Sequence, residues 1–213
     1  MARRWQLKAA MAAVLLSLAC APKQCGLDLL GGAGQGLSRL TSDKESEFGP
    51  SVSADGRTLL FDTRFGEKSG VSGIDPNTGA RRTVYTSSAS RAQEVSWDPT
   101  GRFFVYTSNS SGSWSLVRSI SSSPNAAVAI IVSGEMAPVV SHPDVSPDGK
   151  KVAFSTRLRG TWSLAVSGLD GSNFTIMGEG VHPSWSPDGK RLAFVRATGG
   201  RAHVFSMDAE TGT

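Results

Sequence analysis

Four copies of one segment run through this chain, and an internal repeat constrains a fold more tightly than any other sequence feature. The copies are FGPSVSADGRTLLFDT (Phe48 to Thr63), QEVSWDPTGRFFVYTS (Gln93 to Ser108), SHPDVSPDGKKVAFST (Ser141 to Thr156) and VHPSWSPDGKRLAFVR (Val181 to Arg196). They align on Gly56, Gly101, Gly149 and Gly189, at spacings of 45, 48 and 40 residues. That is the period of a four-stranded propeller blade.

The chemistry of each copy is that of a β-hairpin. In Ser146-Pro147-Asp148-Gly149 and Ser186-Pro187-Asp188-Gly189, proline presets φ at the second turn position, and glycine stands where φ must be positive. The Asp side chain is placed to bond its own turn backbone. In the strand that follows, Leu59/Phe61, Phe104/Tyr106, Val152/Phe154 and Leu192/Phe194 share one face. The intervening Leu60, Val105, Ala153 and Ala193 are apolar as well. A strand apolar on both faces is buried on both, as when blades stack face to face.

A third strand is expected at Gly73-Ile74, Trp114 to Val117, Trp162 to Val166 and His203 to Met207. A fourth is expected at Arg82 to Tyr85, Ala127 to Val132 and Phe174 to Met177, but not in the last copy. A spare strand, Leu37 to Thr41, precedes the first copy. The expected fold is therefore all-β: a propeller of about four four-stranded antiparallel blades over residues 37–213, with no helix after residue 36. Leu37 to Thr41 would close the last blade beside His203 to Met207, which removes exposed edges. A truncated product of a larger propeller, or a larger ring built from two chains, is the alternative. Trp97, Trp185, Trp114 and Trp162 are expected to pack between blades.

PSWSPDGKRLAFV (Pro183 to Val195) resembles the repeat of the TolB C-terminal propeller, also called the PD40 or WD40-like repeat. The resemblance covers roughly residues 37–213. Copies three and four match closely, whereas copy one has Ser-Ala-Asp-Gly and copy two Asp-Pro-Thr-Gly at the turn. The resemblance implies a non-enzymatic protein-binding module in the periplasm, with an envelope partner such as a Tol-Pal-like component. Propellers of this repeat also occur fused to serine peptidases, so an accessory or truncated propeller of a peptidase or hydrolase is the alternative, and a purely structural repeat scaffold is a third reading.

The first residues, MARRWQLKAAMAAVLLSLAC, combine a basic start with an apolar run too short to span a bilayer and then small residues. This is the pattern of a secretory signal peptide over residues 1–19. Residues 20–36, with glycines at 31, 32, 34 and 36, read as a tether. Their spacing is not that of a dinucleotide loop. Leu16-Ser17-Leu18-Ala19-Cys20 resembles a bacterial lipobox, although the strict form has Leu where Ser17 stands. Lipid on Cys20, and through it attachment to the outer membrane, is the expectation. Plain cleavage after Ala19 or Ala21, or a Cys20–Cys25 bridge, would replace it.

The formal charge of +4 owes three positive charges to residues 1–8, and no basic stripe interleaves with aromatics, so nucleic acid is not the expected partner. There is no G-x-S-x-G, no zinc-finger spacing and no P-loop. We expect no enzyme activity and no cofactor.

One repeat position stands out chemically. Seven residues before each turn glycine lie Gly49, Glu94, His142 and His182. The first strand of a blade lines the central channel, so these residues should ring the channel mouth. Two imidazoles and a carboxylate resemble a metal set, but His-Pro simply begins the motif in copies three and four, and no second shell is evident. The expected role of Glu94, His142 and His182 is to contact a partner's loop or chain end, without metal.

Overall fold

The computed structural model describes residues 39–42, 44–66, 68–87, 91–122, 128–134 and 137–213. Residues 44–213 form one compact unit. The first 38 residues, which hold the expected signal peptide, the tether and Cys20, lie outside the described residues.

The period-2 pattern and the turn glycines produce fifteen strands, and among the described residues no α-helix occurs. The first blade holds β1 (Ser46–Val52), β2 (Leu59–Phe65), β3 (Lys68–Ile74) and β4 (Arg81–Ser87). The second holds β5 (Ala92–Trp97), β6 (Phe103–Ser108), β7 (Ser115–Ile120) and β8 (Val128–Val132). The third holds β9 (Val140–Val145), β10 (Lys151–Leu158), β11 (Thr161–Gly168) and β12 (Thr175–Glu179). The fourth holds β13 (Val181–Trp185), β14 (Arg191–Thr198) and β15 (Arg201–Asp208). Every sheet is an antiparallel meander in chain order.

The turns form as their chemistry requires. Gly149 and Gly189 have φ of +70° and +71°. Each donates its N–H to the carbonyl of the serine three residues earlier, at 2.9 Å in both copies. The Ser146 hydroxyl donates to Asp148 Oδ1 at 2.6 Å and accepts the Lys151 N–H at 2.9 Å. Ser186 repeats both bonds with Asp188 and Arg191. Gly56 and Gly101, in the degenerate copies, have the same φ of +71°.

Both faces of the second strand are buried where two blades meet. Leu60, Val71 and Val84 pack against Trp97, Phe104 and Val117. Val105 and Leu116 pack against Val152 and Phe154, and Ala153 and Leu164 against Trp185, Leu192 and Phe194. Fully burying one such side chain is worth roughly 1.5–3 kcal/mol, so these three apolar junctions hold the blades together.

Three expectations are corrected. Among the described residues the fourth blade has three strands, with β15 at its edge. Of the strand expected to close it, residues 37 and 38 lie outside the described residues, and Arg39 to Thr41 belong to no strand. The Arg39 guanidinium donates to the Thr41 carbonyl, a local bond that occupies an acceptor a ladder would need. Packing between blades runs one to two, two to three and three to four. Among the described residues no comparable packing joins four to one. Finally, Trp97 and Trp185 are buried, but Trp114 precedes β7 and is half-buried, and Trp162, at the start of β11, is exposed. Those two sit at the turns rather than between the sheets.

Candidate functional site at the inner strands

β1, β5, β9 and β13 are the innermost strands, and consecutive ones pack on each other. In each, the residue seven before the turn glycine has positive φ: +57° at Gly49, +60° at Glu94, +52° at His142 and +56° at His182. The register of each inner strand with its neighbour shifts across this residue. It is a bulge, the device that re-aims a side chain out of the pleat. Only the first blade uses glycine, which tolerates this conformation freely. A non-glycine residue there costs of order 1 kcal/mol or more.

The N–H groups that these bulges turn out of the ladder are bonded to side chains of the preceding blade. Glu94 donates its N–H to Asp62 Oδ2 at 2.7 Å. His142 donates to Glu94 Oε2 at 2.8 Å, and His182 to Ser155 Oγ at 3.0 Å. Asp62, Thr107, Ser155 and Val195 are repeat equivalents, each six residues after its turn glycine. Thr107 points its hydroxyl to the Gln93 carbonyl at 3.1 Å, so Glu94 takes over the acceptor role at that junction. A second polar link lies beside the first. The Ser51 hydroxyl accepts the Trp97 N–H at 3.2 Å, and Asp144 Oδ2 accepts the Trp185 N–H at 2.8 Å.

The structure thus brings Glu94, His142 and His182 together. The two imidazole rings lie 3.6 Å apart by centroid, and His142 Nε2 is 3.5 Å from Glu94 Oε1. Burial pushes both histidines down to about 4, and the rings are neutral near pH 7. Burial also pushes the Glu94 carboxyl up, against the His142 N–H that it accepts. Among the described residues no three of His, Cys, Asp and Glu converge as metal ligands.

Asp62 was missed at the sequence level. It is 6% exposed, its Oδ1 has no hydrogen-bond partner, and burial, with the Glu94 charge as a lesser cause, raises its pKa to about 7. The available signal was a lone carboxylate in the apolar strand LLFDTRF, at a position where the other copies carry Thr, Ser or Val. The site can therefore present neutral imidazole nitrogens and carboxyl oxygens of adjustable charge. The Ser141 hydroxyl lies 3.1 Å from His142 Nδ1, on the other side of the ring from Glu94, and Ser141 is buried.

No family model matches the sequence, and no characterised protein matches it by sequence. Solved structures do match by shape. TolB from Acinetobacter baumannii superposes with a TM-score of 0.70 at 23% identity, over 81% of this chain and 43% of that one. A putative TolB from Agrobacterium tumefaciens gives 0.62 at 18%, over 82% and 81%. A puromycin hydrolase gives 0.66 at 18%, over 82% of this chain and 29% of that one. The chain spans less than half the length of the Acinetobacter protein and under a third of the hydrolase. The four blades have the fold of TolB-type propellers, a fold that also occurs in a hydrolase.

Proposed function

We propose that this chain is a non-enzymatic protein-binding module of the cell envelope, and that a partner's loop or chain end docks against Glu94, His142 and His182. The observation that carries this is the bulge itself. Three blades place functional side chains in a backbone conformation that glycine would occupy at lower cost, and they converge on one place. Strain retained in this way is a mark of use. The export pattern of residues 1–19 and the lipobox-like run before Cys20 support a periplasmic location with attachment to the outer membrane. The resemblance to TolB supports an envelope partner of the Tol-Pal kind.

The test is a photo-crosslinking residue at position 182, activated in whole envelopes. One discrete adduct is expected, lost in a Glu94→Ala, His142→Ala double variant that still melts cooperatively. An adduct of unchanged yield in that variant sinks the site. The superposition on a hydrolase favours a second reading, an accessory propeller that shields a peptidase domain. An adduct identified as a hydrolase would select it.

A further inference from the structure

The side chains that the bulges present at the inner strands are acceptors without a matching donor. Glu94 Oε2 is engaged by the His142 N–H at 2.8 Å. Among the described residues Glu94 Oε1 accepts no hydrogen bond. It stands 3.5 Å from His142 Nε2, longer than the roughly 2.7–2.9 Å of a charge-assisted bond. On the far side of that ring, Nδ1 lies 3.1 Å from the Ser141 hydroxyl. When Nδ1 carries the proton of the neutral ring and gives it to this hydroxyl, Nε2 keeps its lone pair. Two acceptors then face each other with no hydrogen between them. His182, its ring centroid 3.6 Å from that of His142, adds a third lone pair. These groups are reachable, since the side chains of Glu94 and His142 are 20% and 36% exposed.

The charges around Glu94 point the same way. From β2, Asp62 faces it as a second acid, buried and with Oδ1 unpartnered. From β9 and β13 come the two imidazoles, neutral near pH 7. The facing cation, Arg64 of β2, is exposed, donates to Gln93 Oε1 at 3.0 Å and lies over the Phe48 ring at 5.4 Å. Burial raises both carboxyls, so both stand to gain from a positive charge brought to them. A metal ion would need three converging ligands, which the described residues do not provide. An ammonium group asks less: its N–H donors reach acceptors at ordinary hydrogen-bond distances.

We propose that Glu94, His142 and His182 receive an alkylammonium group, so that the partner segment docking there presents a lysine side chain or a free amino terminus rather than a carboxylate. This assignment rests on the docking site proposed for these residues and names its chemistry. Binding is tied to protons with a definite sign. The ammonium is held by ionised Glu94 and neutral imidazoles, and Asp62 adds charge as it ionises through about 7. Affinity therefore rises as pH climbs from about 5 to about 8. A carboxylate ligand would show the reverse.

The test follows the imidazole ring signals of the full chain by NMR. The chain has three histidines, and His203, on β15 of the fourth blade, is the internal control. N-acetyl-lysine amide supplies an ε-ammonium and alanyl-alanine amide an α-ammonium; N-acetyl-alanine amide supplies neither, and acetate supplies an anion. Saturable shifts of His142 and His182, with His203 unmoved, are expected from the amines alone. The stronger of the two tells whether the partner brings a lysine or a chain end. Glu94→Gln, which keeps an oxygen for the His142 N–H, should weaken the binding roughly tenfold or more, because a hydrogen bond to a charged group is lost. Shifts from acetate and not from the amines, amine affinity that falls as pH rises, or amine binding unchanged in Glu94→Gln overturns the proposal. If the crosslink at position 182 forms while neither amine moves an imidazole, the docking site stands and its ammonium chemistry falls. Amine-induced shifts without a crosslink keep the ammonium site and remove the protein partner.

Discussion

Replacing Asp62 by Asn isolates the buried acid of β2 that accepts the Glu94 N–H. The Asp62 carboxyl is held at about 7, against an ordinary value of 3.8. The folded state therefore binds its proton more tightly than the unfolded chain does. Stability from this group is complete below about pH 4 and is lost as pH rises through 7. The shift of about three units, at 1.36 kcal/mol each, makes that loss up to about 4 kcal/mol. His142 and His182 act with the opposite sign. Their folded values of about 4 lie below the ordinary 6.5, so they remove stability as pH falls from 6.5 towards 4. In the unmodified chain the two trends offset each other, and only a difference between proteins reveals Asp62. Asparagine keeps a side-chain oxygen for the Glu94 N–H and cannot ionise. Urea unfolding from pH 4 to pH 8 should show the variant gaining on the parent as pH rises, by up to about 4 kcal/mol across the range. The unpartnered end of the new amide lowers the variant's curve by a constant and leaves its slope alone. Parallel profiles for the two proteins would refute the account of Asp62 as a buried, proton-holding acid.

The remaining predictions concern the turn and the leader. Gly149→Val and Gly189→Val should each cost about 1–3 kcal/mol from backbone conformation, since φ is +70° and +71° and a Cβ meets nothing closer than 3.9 and 3.7 Å. Thermal melts should fall accordingly, and Asn at the same positions, which tolerates positive φ, should cost less; equal losses for Val and Asn would implicate crowding instead. Radiolabelled fatty acid fed to an expressing host should label the chain and not its Cys20→Ser variant; equal labelling would remove the lipid anchor and leave a soluble exported protein.

What could be read from the sequence was what local chemistry decides. Ser-Pro-Asp-Gly fixes a turn within four residues. Alternation through Val152 to Phe154 fixes both a face and a neighbour, because a residue on either side of the strand must be covered. The shared register of Glu94, His142 and His182 on the inner strands was legible for the same reason: counting from a fixed turn carries a position from blade to blade. Asp62 was not legible as a site residue, because its role depends on a bond to the next blade, 32 residues further on. The first blade's third strand was underestimated as Gly73-Ile74, because the glycines and serines of KSGVSGI lack strand propensity. Its ladder with β2 runs from Lys68 to Ile74 and is imposed by the neighbouring strand and by burial.

Closure of the ring is a different kind of question, and the repeat does not answer it. A repeat states that every blade has a leading and a trailing face; it says nothing of whether the last trailing face meets the first leading one. Reading Leu37 to Thr41 as the closing strand addressed only the edge of the fourth blade, where hydrogen bonds are exposed. Its broad face, where Ala193, Val195 and Val204 lie, is a separate and larger demand, because a fourth strand added at the edge covers no part of it. Apolar area removed from water dominates over exposed edge hydrogen bonds, which water itself satisfies. Among the described residues, that broad face rather than the missing strand is the larger part of what the fourth blade leaves in water. Val204, at 77% exposure, marks that face, whereas on the leading face of the first blade Phe61 and Ile74 are covered, at 3% exposure each.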